Sequence, residues 1–454
     1  MATTTTISDL RNATSGPVIG PNDPGYDDAR DVFYAGIEKR PAAIARVANA
    51  DDVPRVIELA RETGSELAVR AGGHSIAGHS VSEGGVVLDL RDLKGLEIDA
   101  EGRTAAAEAG LTAAEYTQAV GEQGLATGFG DTGSVGISGI TLGGGVGFLV
   151  RKYGLTIDNL RSADIVTADG RVLTVDEQNH PDLFWAIRGG GGNFGVVTRF
   201  RYRLHPVERI VGGMLFLPAT PEVVEGFMVE AEAAPDELST IANVMTAPPM
   251  PFIPEEFHGS TIVMAFLVYA GDVEVGERAM APFRALAAPL ADMVGAKTYP
   301  EMYPPEPEPY KVLAASHTGF VDELESKDYL EAIERLQDPV GSARVVQLRV
   351  LGGAAARVLN DATAYAHRSR KIMVNIATLY EDPDDRGAAE GWVRDMTDRI
   401  HGDDETGYVN FLGDEPNRVS HAYPGSTWDR LREVKRRYDP TNLFRLNQNI
   451  PPSG

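Results

Sequence analysis

From Gly128 to Gly154 the chain reads GFGDTGSVGISGITLGGGVGFLVRKYG, and no feature constrains its fold more than this density of glycine. Only glycine lets consecutive backbone N–H groups approach a flat ring or a pyrophosphate closely. Two further stretches share the property. AVRAGGHSIAGHS, Ala68–Ser80, pins His74 behind Gly72 and Gly73 at the end of an apolar run, and GGGNFG spans Gly190–Gly195. All three precede Pro206. A metal, a phosphate, a catalytic base or a covalent cofactor bond could each explain an imidazole placed like His74.

The rest of the sequence narrows that choice. GGGNFG formally matches G-x-G-x-x-G, but a nicotinamide site needs a helix after it, and VVTRFRYRL is β-branched and alternating, hence a strand. TLGGGVG lacks both the Lys-Ser/Thr and the spacing of a P-loop. The nine histidines are scattered with no metal-ligand spacing, and no G-x-S-x-G elbow is present. There is no cysteine, which removes disulfides, thiolate metal sites, cysteine nucleophiles and thioether links. A net charge of −24 repels polyanions and argues against nucleic acid as a partner. The glycine runs together imply one large, anionic, partly planar ligand wrapped by backbone, a description FAD meets better than a mononucleotide.

At 454 residues the chain is long enough for two or three domains, and no apolar run reaches membrane-span length. MATTTTISDLRNATSG carries no secretory or twin-arginine pattern and reads as a short disordered lead-in to a cytoplasmic protein. A helix capped by Asp51 or Asp52 ends at Gly64, and a strand from Leu67 to Val69 delivers the chain to Gly72. VVLDL reads as buried, LTAAEYTQAVGEQG opens with a capping box from Thr112 to Glu115, and DNLRSADIVTADGRVLTVD reads as a hairpin about Asp169-Gly170. One α+β unit therefore occupies residues 1–206. From 207 to 405 GGMLFLP, STIVMAFLVYAG, ARVVQLRVLGG and RKIMVNIATLYE read as strands of a second, antiparallel α+β domain. PEVVEGFMVEAEAA, YLEAIERLQ and AEGWVRDMTDRI are its helices, and YPEMYPPEPEPYK reads as a mobile loop. Residues 406–454 form a tail: a cap, a helix to about Tyr438 and an irregular end.

AVRAGGHSIAGHS, TLGGGVGFLVRKYGLTIDNL, DLFWAIRGGGGNFGVVT, AYAHR, YVNFLGDE and YDPTNLFRLNQNIPP occur in one order across nearly the whole chain. In that set the sequence resembles the FAD-linked oxidases of the berberine-bridge-enzyme type, within the vanillyl-alcohol-oxidase superfamily. The resemblance implies a PCMH-type FAD-binding domain of two α+β subdomains, an antiparallel-sheet substrate domain and a tail that returns to the first domain. It also implies that His74 is bonded to the 8α-methyl carbon of the flavin. A neutral imidazole is a competent nucleophile, and the two glycines let backbone carry it to the ring edge. Thr132 stands where many relatives place a second linking cysteine, so this chain resembles the singly linked branch that includes 6-hydroxy-D-nicotine oxidase. Val135 stands where a valine accompanies reactivity with dioxygen.

The same resemblance assigns cofactor contacts to Arg70, Gly72, Gly73, Ser75 and His79 in the first motif. It adds Gly139, Gly143, Gly144 and Gly145 in the second, Asn193, Gly195 and Val197 in the third, and Asn447 and Asn449 in the last. Arg151, Lys152 and Tyr153 of RKYG read either as cofactor contacts or as a solvated basic patch. Tyr408 of YVNF matches the family's catalytic tyrosine, and Asn375 a substrate-contacting position. Where some members carry a glutamate base, Val374, Asn375 and Ile376 stand instead. The expected activity is an FAD-dependent oxidase that takes hydride from a carbon bearing an alcohol or amine in a small molecule while a base removes the heteroatom's proton, with hydrogen peroxide as coproduct. A dehydrogenase with another acceptor, a carbohydrate oxidase and a non-catalytic flavin-fold carrier are the alternatives.

Overall fold

The structure, a computed structural model, describes residues 7–305, 311–402 and 404–454. Helix Asp52–Thr63 ends on Gly64 in the left-handed conformation (φ 68°), and strand Leu67–Arg70 follows. That strand lies parallel to the wholly buried Val86–Asp89, which pairs on its other side with Ala43–Arg46; antiparallel Val18–Ile19 closes a four-stranded sheet. Burial on both faces is why VVLDL lacks alternation. A second sheet of five antiparallel strands runs Leu96–Asp99, Thr104–Glu108, Val196–Arg203, Leu160–Val166, Val172–Val175. The strand after GGGNFG is thus its centre. The hairpin turns on Gly170 (φ 84°), and the Thr112–Glu115 capping box is formed.

One hydrophobic core joins these two sheets, from Leu10 to Leu204, and it is completed by Ala364 and by Val409 to Ile450. The tail docks through Lys435 and Asp439, an ion pair of 2.7 Å with both side chains fully buried.

The third sheet has eight strands. Its path runs Ala291–Asp292, Ile210–Pro218, Thr261–Tyr269, Leu238–Thr246, Ala343–Val350, Ile372–Tyr380, Leu313–Val321, with Gly295–Lys297 also paired to Ile210–Pro218. Every pair in it is antiparallel. One face packs against helices Pro221–Ala233, Val273–Arg284, Ser326–Arg335 and Arg386–His401. The other face turns towards the first core.

Two sequence expectations need correction. Residues Ile7–Ala13 are helical, not disordered, because Leu10 inserts fully into the first core and Arg11 pairs with Asp23 at 2.7 Å. In YPEMYPPEPEPYK, Tyr299–Met302 is a turn with Tyr299 fully buried, while residues 306–310 lie outside the described residues. Strand Leu313–Val321 was not anticipated: LAASHTGFV mixes small and polar residues, so its period is faint.

Candidate active site

The glycines ahead of His74 serve backbone contact. A β-carbon on Gly72 would lie 2.2 Å from the Gly136 nitrogen, and one on Gly136 would lie 2.5 Å from the Gly72 nitrogen. The two glycine loops therefore meet main chain to main chain. Gly73 holds φ 76°, and its carbonyl accepts from the Phe33 N–H at 3.2 Å. The Phe33 ring stacks on the His74 imidazole at 4.1 Å between centroids. Arg70 is a structural anchor: it pairs with Asp89 at 2.6 Å, both buried, and donates to the Ala29 and Asp31 carbonyls. That arrangement ties strand Leu67–Arg70 to its neighbour and so sets where Gly72 falls. Its terminal nitrogens are committed to protein, while its buried Nε has no partner.

Ser75 accepts the His79 N–H at 3.3 Å, yet neither ring nitrogen of His79 has a partner. Desolvation pushes its pKa down to about 4; Lys39 adds to the fall and Asp414 opposes it. Asn193 is a staple. Its Oδ1 accepts from Ile450 N–H at 2.9 Å, and its Nδ2 donates to the carbonyls of Gly190 (2.9 Å) and Gln448 (3.0 Å). Gly195 lies 2.6 Å, measured from an added β-carbon, from the Val166 carbonyl oxygen, and Val197 is buried opposite Ile165. Asn447 and Asn449, the neighbours of the Gln448 that Asn193 grips, each bury an Oδ1 that has no partner. A buried polar atom left unpaired costs about 1–3 kcal/mol. Two amide oxygens and an imidazole held in that state fit a polar cofactor such as FAD lying along the tail. Gly139 is exposed with open space beside it, Thr132 bonds Asp131 at 3.2 Å, and Val135 is half-buried.

Gly143, Gly144 and Gly145 do something the sequence reading did not foresee. A β-carbon on Gly143 would fall 1.9 Å from Oδ1 of Asn410, on Gly144 2.9 Å from Tyr365, and on Gly145 2.0 Å from Thr156. Their bareness admits protein side chains from three segments, one of them the segment carrying Tyr408. That tyrosine is buried, and its oxygen accepts the Gly145 N–H and the Asn410 Nδ2, each at 2.9 Å. Burial raises its pKa above the usual value, while both donors and the Arg349 charge oppose the rise.

Tyr408 packs with Met373 and Phe320 on the sheet face that looks towards the first core. Two residues along, Asn375 lies on that same face, since Val374 and Ile376 belong to the helix-covered side. Across the strands Asn375 stands between Thr318 and Gln347, and Gln347 opposite Asn243. Gln347 donates to Asn243 Oδ1 at 2.8 Å and accepts from Arg349 Nε at 2.8 Å; Arg349 in turn reaches Asp131 at 2.5 Å. This polar row, bridged to the glycine loop, leaves the Asn375 Oδ1 unpaired. Gln347, Asn243 and Arg349 escaped the sequence reading because their meaning lies in cross-strand register, and Asn410 because its partners Ile140 and Gly143 lie far away in the chain.

RKYG is not a solvated patch. Arg151 is buried and donates to the Leu351 and Ala234 carbonyls at 2.7 Å each, Lys152 to the Ala270 carbonyl, and Tyr153 stacks on His205 at 4.0 Å. It clamps the eight-stranded sheet to the first domain. Among the described residues no cluster of histidine and carboxylate could hold a metal, and no helix is long and apolar enough to cross a membrane.

Fold and site together define a cofactor-binding enzyme whose eight-stranded sheet packs over a glycine-lined first domain. A family model described as an FAD binding domain matches residues 41–176, and one described as berberine and berberine like matches residues 407–451. The (R)-6-hydroxynicotine oxidase of Paenarthrobacter nicotinovorans is 30% identical over 97% of each chain. The xylooligosaccharide oxidase of Thermothelomyces thermophilus is 28% identical over 98% of this chain and 94% of its own. The crystal structure of 6-hydroxy-D-nicotine oxidase from Arthrobacter nicotinovorans superposes with a TM-score of 0.84 at 27% identity, covering 97% of this chain and 98% of that one. The chain belongs to the berberine-bridge-enzyme-like family of FAD-linked oxidoreductases, with its PCMH-type α+β fold.

Proposed function

We propose that this enzyme is an oxidase of a small alcohol or amine, with FAD bonded through His74 alone and dioxygen reduced to hydrogen peroxide. The observation that carries the reading is Tyr408, a buried phenol held by two donors and packed against the sheet face that presents Asn375. When bound, FAD supplies the acceptor for a hydride and its two electrons go on to dioxygen. Tyr408 takes the proton of the substrate's hydroxyl or amine, and the unpaired Asn375 oxygen orients that group by accepting from it. Gln347 and Arg349 hold the row in register. Gly72 and Gly73 carry His74, whose other face is covered by Phe33. The likeness to (R)-6-hydroxynicotine oxidase and the absence of any cysteine support the single link and a small substrate.

The test is the visible spectrum of purified protein followed by acid precipitation. Colour that stays with the pellet and is lost from it in His74→Ala supports the covalent link, and peroxide release then identifies substrates among alcohols and amines. Colour in the wild-type supernatant overturns the link while leaving an FAD enzyme. Flavin that a productive substrate bleaches anaerobically but that dioxygen does not restore would make the protein a dehydrogenase.

A further inference from the structure

The sheet face that presents Asn375 changes character along a single row. Thr318, Asn375, Gln347 and Asn243 stand opposite one another on successive strands, and Met264 and Phe216 continue the row beyond them. The polar half stops at Asn243, whose Oδ1 accepts from Gln347 at 2.8 Å and whose Nδ2 donates to the Met264 carbonyl at 3.1 Å. Two residues along each strand the same face carries Met245, Val345 and Ala377, again opposite one another. Met264, Met245, Val345 and Ala377 are half-buried, as are Gln347 and Asn375. Val244, Val346 and Ile376, which alternate with them, are buried under the helices of the other face.

A loop walls off the apolar end. At its neck the Ala247 N–H donates to the Ser260 carbonyl at 2.8 Å. Between these residues Met250, Ile253 and Phe257 join Phe216, Ile262, Met245 and Met264 in one apolar cluster. The Phe252 ring lies 5.2 Å from that of Phe216. Pro248, Pro249, Pro251 and Pro254 each fix φ within the loop, so the wall joins a restrained backbone to adaptable methionine side chains.

From this juxtaposition we infer that the cluster is the specificity-setting part of the substrate site, taking the apolar body of an alcohol or amine whose polar end lies at Gln347 and Asn375. Met245 and Met264 are then its specificity-determining residues. The inference rests on the reading of Asn375 as the residue that orients the reacting group. Its physical ground is a difference in desolvation. A hydrocarbon body laid on Met245, Met264 and Val345 leaves water without losing a hydrogen bond and gains contact with polarisable thioethers. A sugar ring in the same place would bring hydroxyls against side chains that cannot replace their water. The substrate class is therefore a small amphipathic molecule, with its heteroatom at one end and a ring or alkyl chain beyond the reacting carbon. An oligosaccharide falls outside it.

Primary alkanamides carry no alcohol or amine to oxidise, so they probe this subsite apart from turnover. Ligand-observed NMR titration of the flavin-loaded protein measures their binding. From propanamide to hexanamide each added methylene should tighten binding about fourfold, and xylobiose should bind more weakly than hexanamide. Met245→Gln and Met264→Gln place an amide in the wall and should cut that step to about twofold or less, while Met245→Leu should keep it. A wild-type affinity that does not rise with chain length overturns the subsite. So does a step unchanged in both glutamine variants, hexanamide that does not bind, or xylobiose bound more tightly than hexanamide. If neither glutamine variant folds, the wild-type series and xylobiose decide. A merely structural role for the two methionines would lower the melting temperature and leave the step in place. Peroxide release separates the two ideas. Hexan-2-ol and 2-aminohexane that yield no peroxide while the step holds overturn the oxidase reading for such substrates and keep the subsite. Peroxide from xylobiose, with no step among the amides, keeps the oxidase and overturns the subsite.

Discussion

Lys435→Met should release the tail that carries the last site motif. The Lys435 ammonium is fully buried and donates to Asp439 Oδ2 at 2.7 Å, to the Asn193 carbonyl at 2.8 Å and to the Phe444 carbonyl at 2.9 Å. Asp439 receives the Leu443 and Phe444 N–H groups at 2.8 and 2.9 Å. All three ammonium hydrogens are used. Methionine fills similar volume but leaves a buried carboxylate without its counter-ion, a loss of about 3–5 kcal/mol. Two carbonyls also lose a partner. Local opening of the tail should therefore become about 150- to 5,000-fold more frequent, read as faster amide exchange at Leu443, Phe444 and Ile450. The double variant Lys435→Met/Asp439→Asn keeps an oxygen acceptor for one of the two N–H groups and removes the lone charge. It should recover about half of the loss or more, because residues in one network do not add independently. Exchange in Lys435→Met within about fivefold of wild type would refute the reasoning.

Acid should destabilise the protein well above the carboxylate range. His367 and His401 are buried, and burial pushes each pKa down to about 4 from a usual 6.5. The unfolded chain binds those two protons as pH falls through 6.5 and the folded chain does not until about 4. Stability is thus full above 6.5 and declines between these values, by on the order of 3 kcal/mol per histidine at the limit. A denaturation midpoint that is flat from pH 7 to 5 contradicts this. Val135→Leu should slow reoxidation by dioxygen at least tenfold while anaerobic reduction keeps its rate; stopped-flow mixing with oxygenated buffer measures both halves.

Much of the first domain was legible because its signals are local. Gly64 ends a helix, Thr112 and Glu115 close a capping box, and Asp169-Gly170 turns a hairpin, each within a few residues. The strand after GGGNFG likewise settled a question of chemistry from alternation alone. What stayed hidden depends on partners far along the chain. Arg151 read either as a cofactor contact or as solvated, since nothing near it in sequence supplies the Leu351 and Ala234 carbonyls. Ile7–Ala13 looked disordered since its one strong anchor, Leu10, has meaning only against the core of the first domain. In the candidate site, Tyr408 and Asn375 were readable by resemblance, whereas Gln347 and Asn243 acquire their place through register with Asn375.

The tail also explains why the glycine motifs sit where they do. Tyr408 and Asn410 come from one end of the tail and Asn447 and Asn449 from the other, and both ends dock on backbone exposed by glycine. Gly143 and Gly144 make room for Asn410 and Tyr365, and Gly190 offers a carbonyl to Asn193, which in turn grips Gln448 and Ile450. A side chain at Gly143 or Gly144 would collide with the segment that carries the phenol or with its packing partner. The site is therefore completed late in the chain, when residues beyond 408 settle onto loops made before residue 206. Lys435 links the two halves of that docking through the Asn193 carbonyl. Weakening the Lys435–Asp439 pair should consequently disturb Asn447 and Asn449 before it disturbs the eight-stranded sheet, whose core contains no residue of the tail.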